Sequence, residues 1–262
     1  YLDLSYTPLH IWGTVPEDCI TQPWQGQHMP ALRHLSLRHT GLHDEQLDRL
    51  LPLWHTATGL THIDLADNKI YDTGATHLAN SLARHNTVLQ HLDLGQNYIG
   101  PTGAKHLGTL LTKMGAMQYF GVQHNGIQNE GIRDVIRGLG QSQRTITTLR
   151  LSNMEGTRMG DWPTLIQDHL KCLTNLTYLG LGDMNLGDTG ATTLATLYFP
   201  MATGLSTIML QNNKIGHHGG KSVATAMMYL PKLGKLNISL NFIGPAAAGD
   251  IIDSLASKTT MT

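Results

Sequence analysis

One repeated pattern constrains the fold of this chain more than any other feature of its sequence. The pattern L-x-x-L-x-L-x-x-N-x-L recurs along the chain, with starts at Leu32, Leu60, Leu89, Met117, Ile146, Leu176, Leu205 and Leu233. Successive starts are separated by 28, 29, 28, 29, 30, 29 and 28 residues. Because so regular a period is typical of repeat proteins, we expect stacked units rather than a single globular core.

Each copy predicts a strand followed by a helix. In residues 60–82, Ile63 and Leu65 alternate with polar residues, which is the period of a strand. Leu78 and Leu82 then recur at the spacing of one helix face. Neither element can bury its apolar side alone, so each copy needs neighbours on both sides. The pattern therefore predicts an α/β solenoid with a parallel sheet on one side and helices on the other.

The repeats resemble those of the leucine-rich-repeat proteins, and two helix openings resemble the ribonuclease-inhibitor-like subclass. These openings are G-P-T-G-A at Gly100–Ala104 and G-D-T-G-A at Gly187–Ala191. The resemblance implies a horseshoe of about 8–9 repeats of 28–30 residues, with the sheet on the concave face and the α-helices on the convex face. It also implies a ladder of asparagines that satisfies backbone groups, formed by Asn68, Asn97, Asn125, Asn213 and Asn241.

The repeat pattern also predicts the organisation of the chain. We expect one leucine-rich-repeat domain over residues 1–262, which is a fragment of a longer protein. A partial first repeat with an irregular segment, containing Trp12 and Trp24, occupies residues 1–31. Eight regular repeats follow over residues 32–255, and residues 256–262 form a frayed end. Asp72 is expected to cap its own helix, and Pro101 and Pro245 fit helix starts.

Composition narrows the classes of partner. The chain has 18 basic and 19 acidic residues, so its charge gives no reason to expect nucleic acid or an anionic membrane as a partner. Its two cysteines cannot form a disulfide framework, and we expect Cys172 to pack in the core. No apolar run is long enough to span a bilayer. We therefore expect an intracellular, cytoplasmic protein.

The residues between the strand leucines are expected to point out of the concave face. One column includes His34, His62 and His91, and a second includes Asp64 and Asp93. A third, two residues beyond the second leucine, includes Asp67, Asn153 and Asn212. The histidines and aspartates suit a metal site, a pH-sensitive surface or an ordinary polar contact surface. We expect the last of these, with no metal and no cofactor.

The middle copies carry the residue types that dominate protein interfaces. Tyr119, Arg150 and Tyr178 face outward in this scheme, and glycines beside the tyrosines, Gly121 and Gly180, would let a partner backbone approach. The ladder is broken by Met154 and Met184. The loop between them either reflects drift that methionine packing compensates or holds Arg158 and Trp162 outward for a partner.

We expect a non-catalytic protein-interaction module or scaffold, and a subunit of a large complex is one form of that role. No P-loop, G-x-S-x-G or H-E-x-x-H motif occurs in the sequence. The alternative is a GTPase-activating protein that resembles those acting on the Ran GTPase. In that alternative, the loop Gly156–Arg158 would bring Arg158 to a nucleotide phosphate.

Overall fold

The computed structural model of the 262-residue chain describes residues 1–8, 29–142, 145–154 and 161–259. The predictions for Trp12, Trp24 and Arg158 therefore fall outside the described residues. The chain divides into two compact units, Tyr1–Ile146 and Thr147–Thr262.

The first unit is a parallel sheet with helices. Its strands, in the order they take in the sheet, are β1 (Leu2–Asp3), β2 (His34–Ser36), β3 (His62–Asp64), β4 (His91–Asp93) and β5 (Tyr119–Gly121). Its helices are α1 (Asp44–Arg49), α2 (Leu51–Thr56), α3 (Asp72–His85), α4 (Pro101–Leu111) and α5 (Gln128–Ser142). From β2 onward, each strand is followed by helix before the next strand begins, as the repeat pattern predicts.

The second unit repeats this arrangement. Its parallel strands are β6 (Thr148–Arg150), β7 (Tyr178–Gly180), β8 (Thr207–Met209) and β9 (Lys235–Asn237), again in chain order. Its helices are α6 (Trp162–Asp168), α7 (Gly187–Thr193), α8 (His217–Ala226) and α9 (Gly244–Thr259). Short 3-10 turns lie at Leu170–Cys172 and Met227–Tyr229, and Leu194–Tyr198 is a π-helical turn. Helix α9 continues beyond residue 255, where the regular repeats were expected to end.

The strand leucines form the core, as predicted. Ile63 on β3 pairs with Leu92 on β4, and both are fully buried, as is Leu65 just after β3. The residues on either side of Ile63, His62 and Asp64, are only half-buried. This alternation defines an inner strand face that packs toward the helices and an outer strand face turned away from them.

The asparagine ladder is confirmed in both units. The Asn97 side-chain oxygen accepts the Ile70 backbone N–H at 3.0 Å, and its amide nitrogen donates to the carbonyls of Leu65 and Leu94 at 3.0 Å each. Equivalent bonds are made by Asn68, Asn125, Asn213 and Asn241. Each asparagine thus ties its own repeat to the preceding one and satisfies buried backbone groups where the chain leaves the strand.

Two methionines stand in the ladder positions of the second unit. Met154 and Met184 are both buried, which fits the account in which methionine packing compensates for lost asparagines. The backbone N–H of Met184 still bonds to the Asn213 side chain at 3.0 Å, so the next asparagine continues to serve this turn.

An aspartate of one repeat caps the helix of the next repeat. Asp72 Oδ1 accepts the backbone N–H groups of Gly100 at 2.8 Å and Gly103 at 2.7 Å, which open α4. The prediction that Asp72 caps its own helix is therefore wrong. Asp72 is the first residue of α3, one position past the N-cap residue Tyr71, whereas capping of its own helix requires the N-cap position.

The Asp72 carboxylate explains why a glycine occupies position 103. A Cβ on Gly103 would lie 2.8 Å from Asp72 Oδ1, so a larger residue would push the cap away. In the second unit, Asp188 likewise accepts the N–H groups of Gly216 at 2.6 Å and Gly219 at 2.9 Å. The glycine of the T-G-A opening is therefore required in part by the carboxylate of the preceding repeat.

The third outward column is not part of the strands. Its residues occupy a left-handed turn after each strand, with φ between 52° and 62°; they are Tyr6, His39, Asp67, Gln96, His124, Asn153, Asp183, Asn212 and Leu240. Asp, Asn and His are the non-glycine residues that adopt this conformation most readily, and they fill most of the positions.

We expect Asp72→Ala to lower the free energy of unfolding by about 1–2 kcal/mol, the usual cost of losing a helix cap. Urea unfolding followed by circular dichroism measures the change. The matched control is Asp250→Ala, because that aspartate lies exposed on α9 and its side chain bonds to no described residue. An equal effect of the two substitutions would contradict capping between repeats.

Candidate functional site

Five rings line one edge of the outer strand face in the first unit. We call Tyr1, His34, His62, His91 and Tyr119 the ring column. Ring centroids are 4.0 Å apart for His34 and His62, 5.5 Å for His62 and His91, and 3.9 Å for His91 and Tyr119, with interplanar angles of 19°, 21° and 10°. Tyr1 adds a tilted ring 5.7 Å from His34.

The repeat register produces this stack. His34 pairs with His62, His62 with His91, and His91 with Tyr119, each on the neighbouring parallel strand. Neighbouring strands lie about 4.8 Å apart, which is close to the separation at which aromatic rings stack. The four rings from His34 to Tyr119 are half-buried. They form a preformed stack of nearly parallel rings.

The predicted aspartates lie beside the ring column but differ in exposure. Asp64 is half-buried, and Asp93 is 6% exposed. The hydroxyl of Tyr119 donates to Asp93 Oδ2 at 2.7 Å, and the Gly95 backbone N–H donates to Oδ1 at 2.9 Å. The prediction that Asp93 faces solvent is therefore wrong, because its carboxylate is used to anchor Tyr119.

Burial also changes the ionisation of two groups on β3. It lowers the pKa of His62, and the neighbouring His34 lowers it further. The pKa of the Asp64 carboxyl is raised, chiefly by burial and also by Asp93, although the Ala66 backbone N–H and Arg38 act in the opposite direction. Burial and the neighbouring His34 thus both favour the neutral form of His62.

In the second unit, the predicted partner residues Arg150 and Tyr178 contact each other. The guanidinium carbon of Arg150 lies 5.0 Å from the centre of the Tyr178 ring, within cation–π range. Arg150 is in register with Gly180 on the next strand. Because Gly180 has no side chain, the Tyr178 ring can lie over its own strand.

The two glycines do not leave space for a partner backbone. A Cβ on Gly121 would lie 2.9 Å from Asp93 Oδ1 and 3.1 Å from Tyr119 Cε1, and one on Gly180 would lie 3.2 Å from Tyr178 Cε1. Both glycines are buried. That prediction is corrected, because each tyrosine ring occupies the space beside the glycine of its own strand.

Trp162 does not face a partner. It is 2% exposed, and its indole Nε1–H donates to the Met184 carbonyl at 2.9 Å. The prediction of an outward Trp162 is wrong because the ring fills the core next to the broken ladder position. Cys172, expected in the core, is exposed on its 3-10 turn. Arg158, the proposed phosphate-contacting residue, lies outside the described residues.

Sequence reasoning missed one contributor to the site, Gln123. Gln123 Nε2 lies 3.4 Å from Asp93 Oδ1, just beyond the strand end. No periodic signal marks it. Across the described residues, no group of three or more His, Cys, Asp or Glu side chains is arranged to hold a metal ion.

Two segments of the chain, residues 58–79 and 85–108, match the family model for the leucine rich repeat. The solved structure of internalin C2 from Listeria monocytogenes is 19% identical, with a TM-score of 0.57, and the match covers 94% of this chain and 93% of that one. The fold is a leucine-rich-repeat solenoid.

Other solved repeat structures share this fold. An internalin F structure from Listeria monocytogenes is 17% identical, with a TM-score of 0.55, over 85% of this chain and 53% of that chain. The Arabidopsis receptor kinase HAESA, solved with the peptide hormone IDA and the co-receptor SERK1, is 18% identical, with a TM-score of 0.53. That match covers 86% of this chain and 33% of HAESA, so the chain spans about half of the one relative and a third of the other. No curated protein matches the sequence. No helix within the described residues has both the length and the apolar character needed to cross a bilayer.

We expect His62→Phe to reduce the acid sensitivity of the fold. Because the folded state lowers the pKa of His62, the unfolded chain binds that proton more tightly. The free energy of unfolding therefore falls as the pH drops through about 6.5, and this loss is complete below the folded pKa. Urea unfolding at several pH values between 7.5 and 5 should show a shallower decline for His62→Phe than for the wild type.

The control for this measurement is His218→Phe, which replaces an exposed histidine of α8. His85, whose pKa is also lowered by burial and by His55, is present in every variant and cancels in the comparison. Parallel profiles for wild type and His62→Phe would contradict the assignment.

Proposed function

We propose that the chain is a non-catalytic protein-interaction module of the ribonuclease-inhibitor-like leucine-rich-repeat subclass, which binds a protein partner through its outer strand face. The ring column is the observation that carries this proposal. His62, His91 and Tyr119 present stacked rings that are already held in place by neighbouring strands. A preformed surface loses little side-chain entropy on binding, which favours affinity.

The chemistry of the two units suits polar and aromatic groups of a partner. In the first unit the ring edges lie beside the half-buried carboxylate of Asp64. In the second unit Arg150 and Tyr178 form a compact cation–π pair. Tyrosine and arginine are enriched among residues that dominate interface energies. We therefore assign His62, His91, Asp64, Tyr119, Arg150 and Tyr178 to the partner surface, with Asp93 as the residue that positions Tyr119.

The solved relatives support a protein as the partner. The HAESA structure contains a peptide hormone and a co-receptor protein bound to a fold of this class. A long sheet with varied side chains in regular columns offers many contacts to a folded protein or peptide. A helix between successive strands and the period of 28–30 residues favour the ribonuclease-inhibitor-like subclass.

We infer further that this module works inside the cell, in the cytoplasm, as part of a larger assembly rather than on nucleic acid or membrane. The balanced charge and the two cysteines support that inference. Residues 1–262 are taken as one repeat array, because the sequence period continues through residue 146 without a break.

We expect the triple replacement of Tyr119, Arg150 and Tyr178 by alanine to weaken partner binding at least tenfold, since truncation of central interface residues commonly costs 1–2 kcal/mol or more each. The partner is first recovered from cells by affinity purification and identified by mass spectrometry. Binding of the purified partner is then measured by calorimetry.

The matched control replaces three exposed residues outside the strands, Lys113, Tyr229 and Lys232, by alanine. Circular dichroism checks that both triple variants remain folded. A partner that binds the strand-face variant as tightly as the wild type would contradict the proposed surface.

A further inference from the structure

A second recessed site lies at the carboxyl ends of the first-unit strands, beyond the ring column. It is a cleft of about 360 Å³, and the residues that define it are Tyr6, His39, Gly41, Asp67, Lys69 and Tyr98. Tyr6, His39 and Asp67 belong to the left-handed turns that follow β1, β2 and β3. We call this feature the turn cleft.

Hydrogen bonds hold the floor of the turn cleft together. The buried side chain of Asn68 accepts the Thr40 backbone N–H at 3.1 Å and the Thr40 hydroxyl at 3.0 Å. The same oxygen accepts the Leu42 backbone N–H at 3.0 Å. Because these bonds belong to the asparagine ladder, a ligand would meet a surface that is already ordered.

One residue that lines this floor has no side chain. Gly41 occupies the repeat position that Lys69 and Tyr98 occupy in the next two repeats. Its φ of 73° lies in the left-handed region, where a larger residue would be strained. The row therefore runs from no side chain to a lysine and then to a tyrosine.

Aromatic rings form the walls. Tyr6 is 69% exposed, and its ring centroid lies 5.2 Å from that of His39. Tyr98 is 57% exposed and stacks on Tyr71, which is 50% exposed, at 5.1 Å and 14°. Large aromatic side chains this exposed are characteristic of binding surfaces when they cluster around a recess.

The cleft holds charged groups of both signs, the Asp67 carboxylate and the Lys69 ammonium. His39 Nδ1 lies 2.7 Å from Asp67 Oδ2, so the Asp67 carboxylate already has a partner. Lys69 is exposed and forms no ion pair with any described residue. A lysine ammonium donates charge-assisted hydrogen bonds to carboxylates, whereas a neutral amide would gain less there.

We propose that the turn cleft binds an acidic peptide segment of a protein ligand. In this arrangement, an aspartate or glutamate carboxylate meets Lys69, and a neighbouring aromatic side chain packs against the exposed ring of Tyr98. The inference rests on the proposed function in taking the ligand to be a protein, but it uses none of the strand-face residues.

The test is an NMR titration of the full ¹⁵N-labelled chain with N-acetyl-Glu-Trp-amide, compared with N-acetyl-Gln-Trp-amide. We expect shifts of the backbone amides of Gly41, Lys69 and Tyr98, and about threefold tighter binding of the glutamate peptide. Lys69→Gln should abolish the preference for glutamate. Lys113→Gln, which changes an exposed lysine outside the cleft, should leave it intact.

Equal affinity for the two peptides, shifts confined to other surfaces, or no shift at all would overturn the inference. The strand-face triple variant separates the two proposals, because it keeps Lys69 and the tyrosines of the cleft. If the triple variant loses binding to its protein partner and the wild-type chain does not bind the glutamate peptide, only the turn-cleft proposal fails. If the triple variant still binds its protein partner and the peptide changes the amide chemical shifts of the turn cleft, only the strand-face proposal fails.

Discussion

The asparagine side chain at the end of each regular strand is the interaction on which the other features depend. Its oxygen accepts a backbone N–H of the preceding repeat, as Asn97 does for Ile70, and its amide donates to carbonyls of both repeats. Buried backbone groups left without partners would each cost about 1–3 kcal/mol. A turn this tight is therefore stable only while its neighbour is in place, which makes stacking a condition of folding rather than a consequence of it.

Regular stacking of the repeats then determines which side chains are neighbours on the surface. Because the ladder holds successive strands of a unit in the same register, residues at one repeat position become neighbours. Three histidines and a tyrosine at one position of the first unit become a stack with spacings of 4.0, 5.5 and 3.9 Å. The same register places a glycine among the residues that line the turn cleft. Both candidate binding sites are thus properties of the repeat alignment, and changes at single positions can alter them without altering the fold.

The sequence predicted features that recur with the period and failed where a side chain contacts a neighbouring repeat. The strands, the buried leucines and the asparagine ladder follow from alignment of the copies. The cap that Asp72 provides for the next helix does not, because pattern reasoning assigns a cap to its own helix. Trp162 and Asp93 were expected outside and lie inside, since each fills space or satisfies a group created by residues of another repeat. The Asp, Asn and His residues at the left-handed turn positions were a signal for that conformation. Reading the strands by alternation alone treated the same positions as an outward column.

Native-state hydrogen exchange of single amides tests the role of the asparagine ladder most directly. The backbone N–H groups of Ile70 and Ile99 donate to the side chains of Asn97 and Asn125, at 3.0 and 2.9 Å, and lie outside every strand and helix. If these side chains close the structure, both amides should exchange only through the opening that also exposes the strand amides of Ile63 and Leu92. Exchange of Ile70 and Ile99 at rates typical of exposed loops, with the strands still protected, would contradict the account.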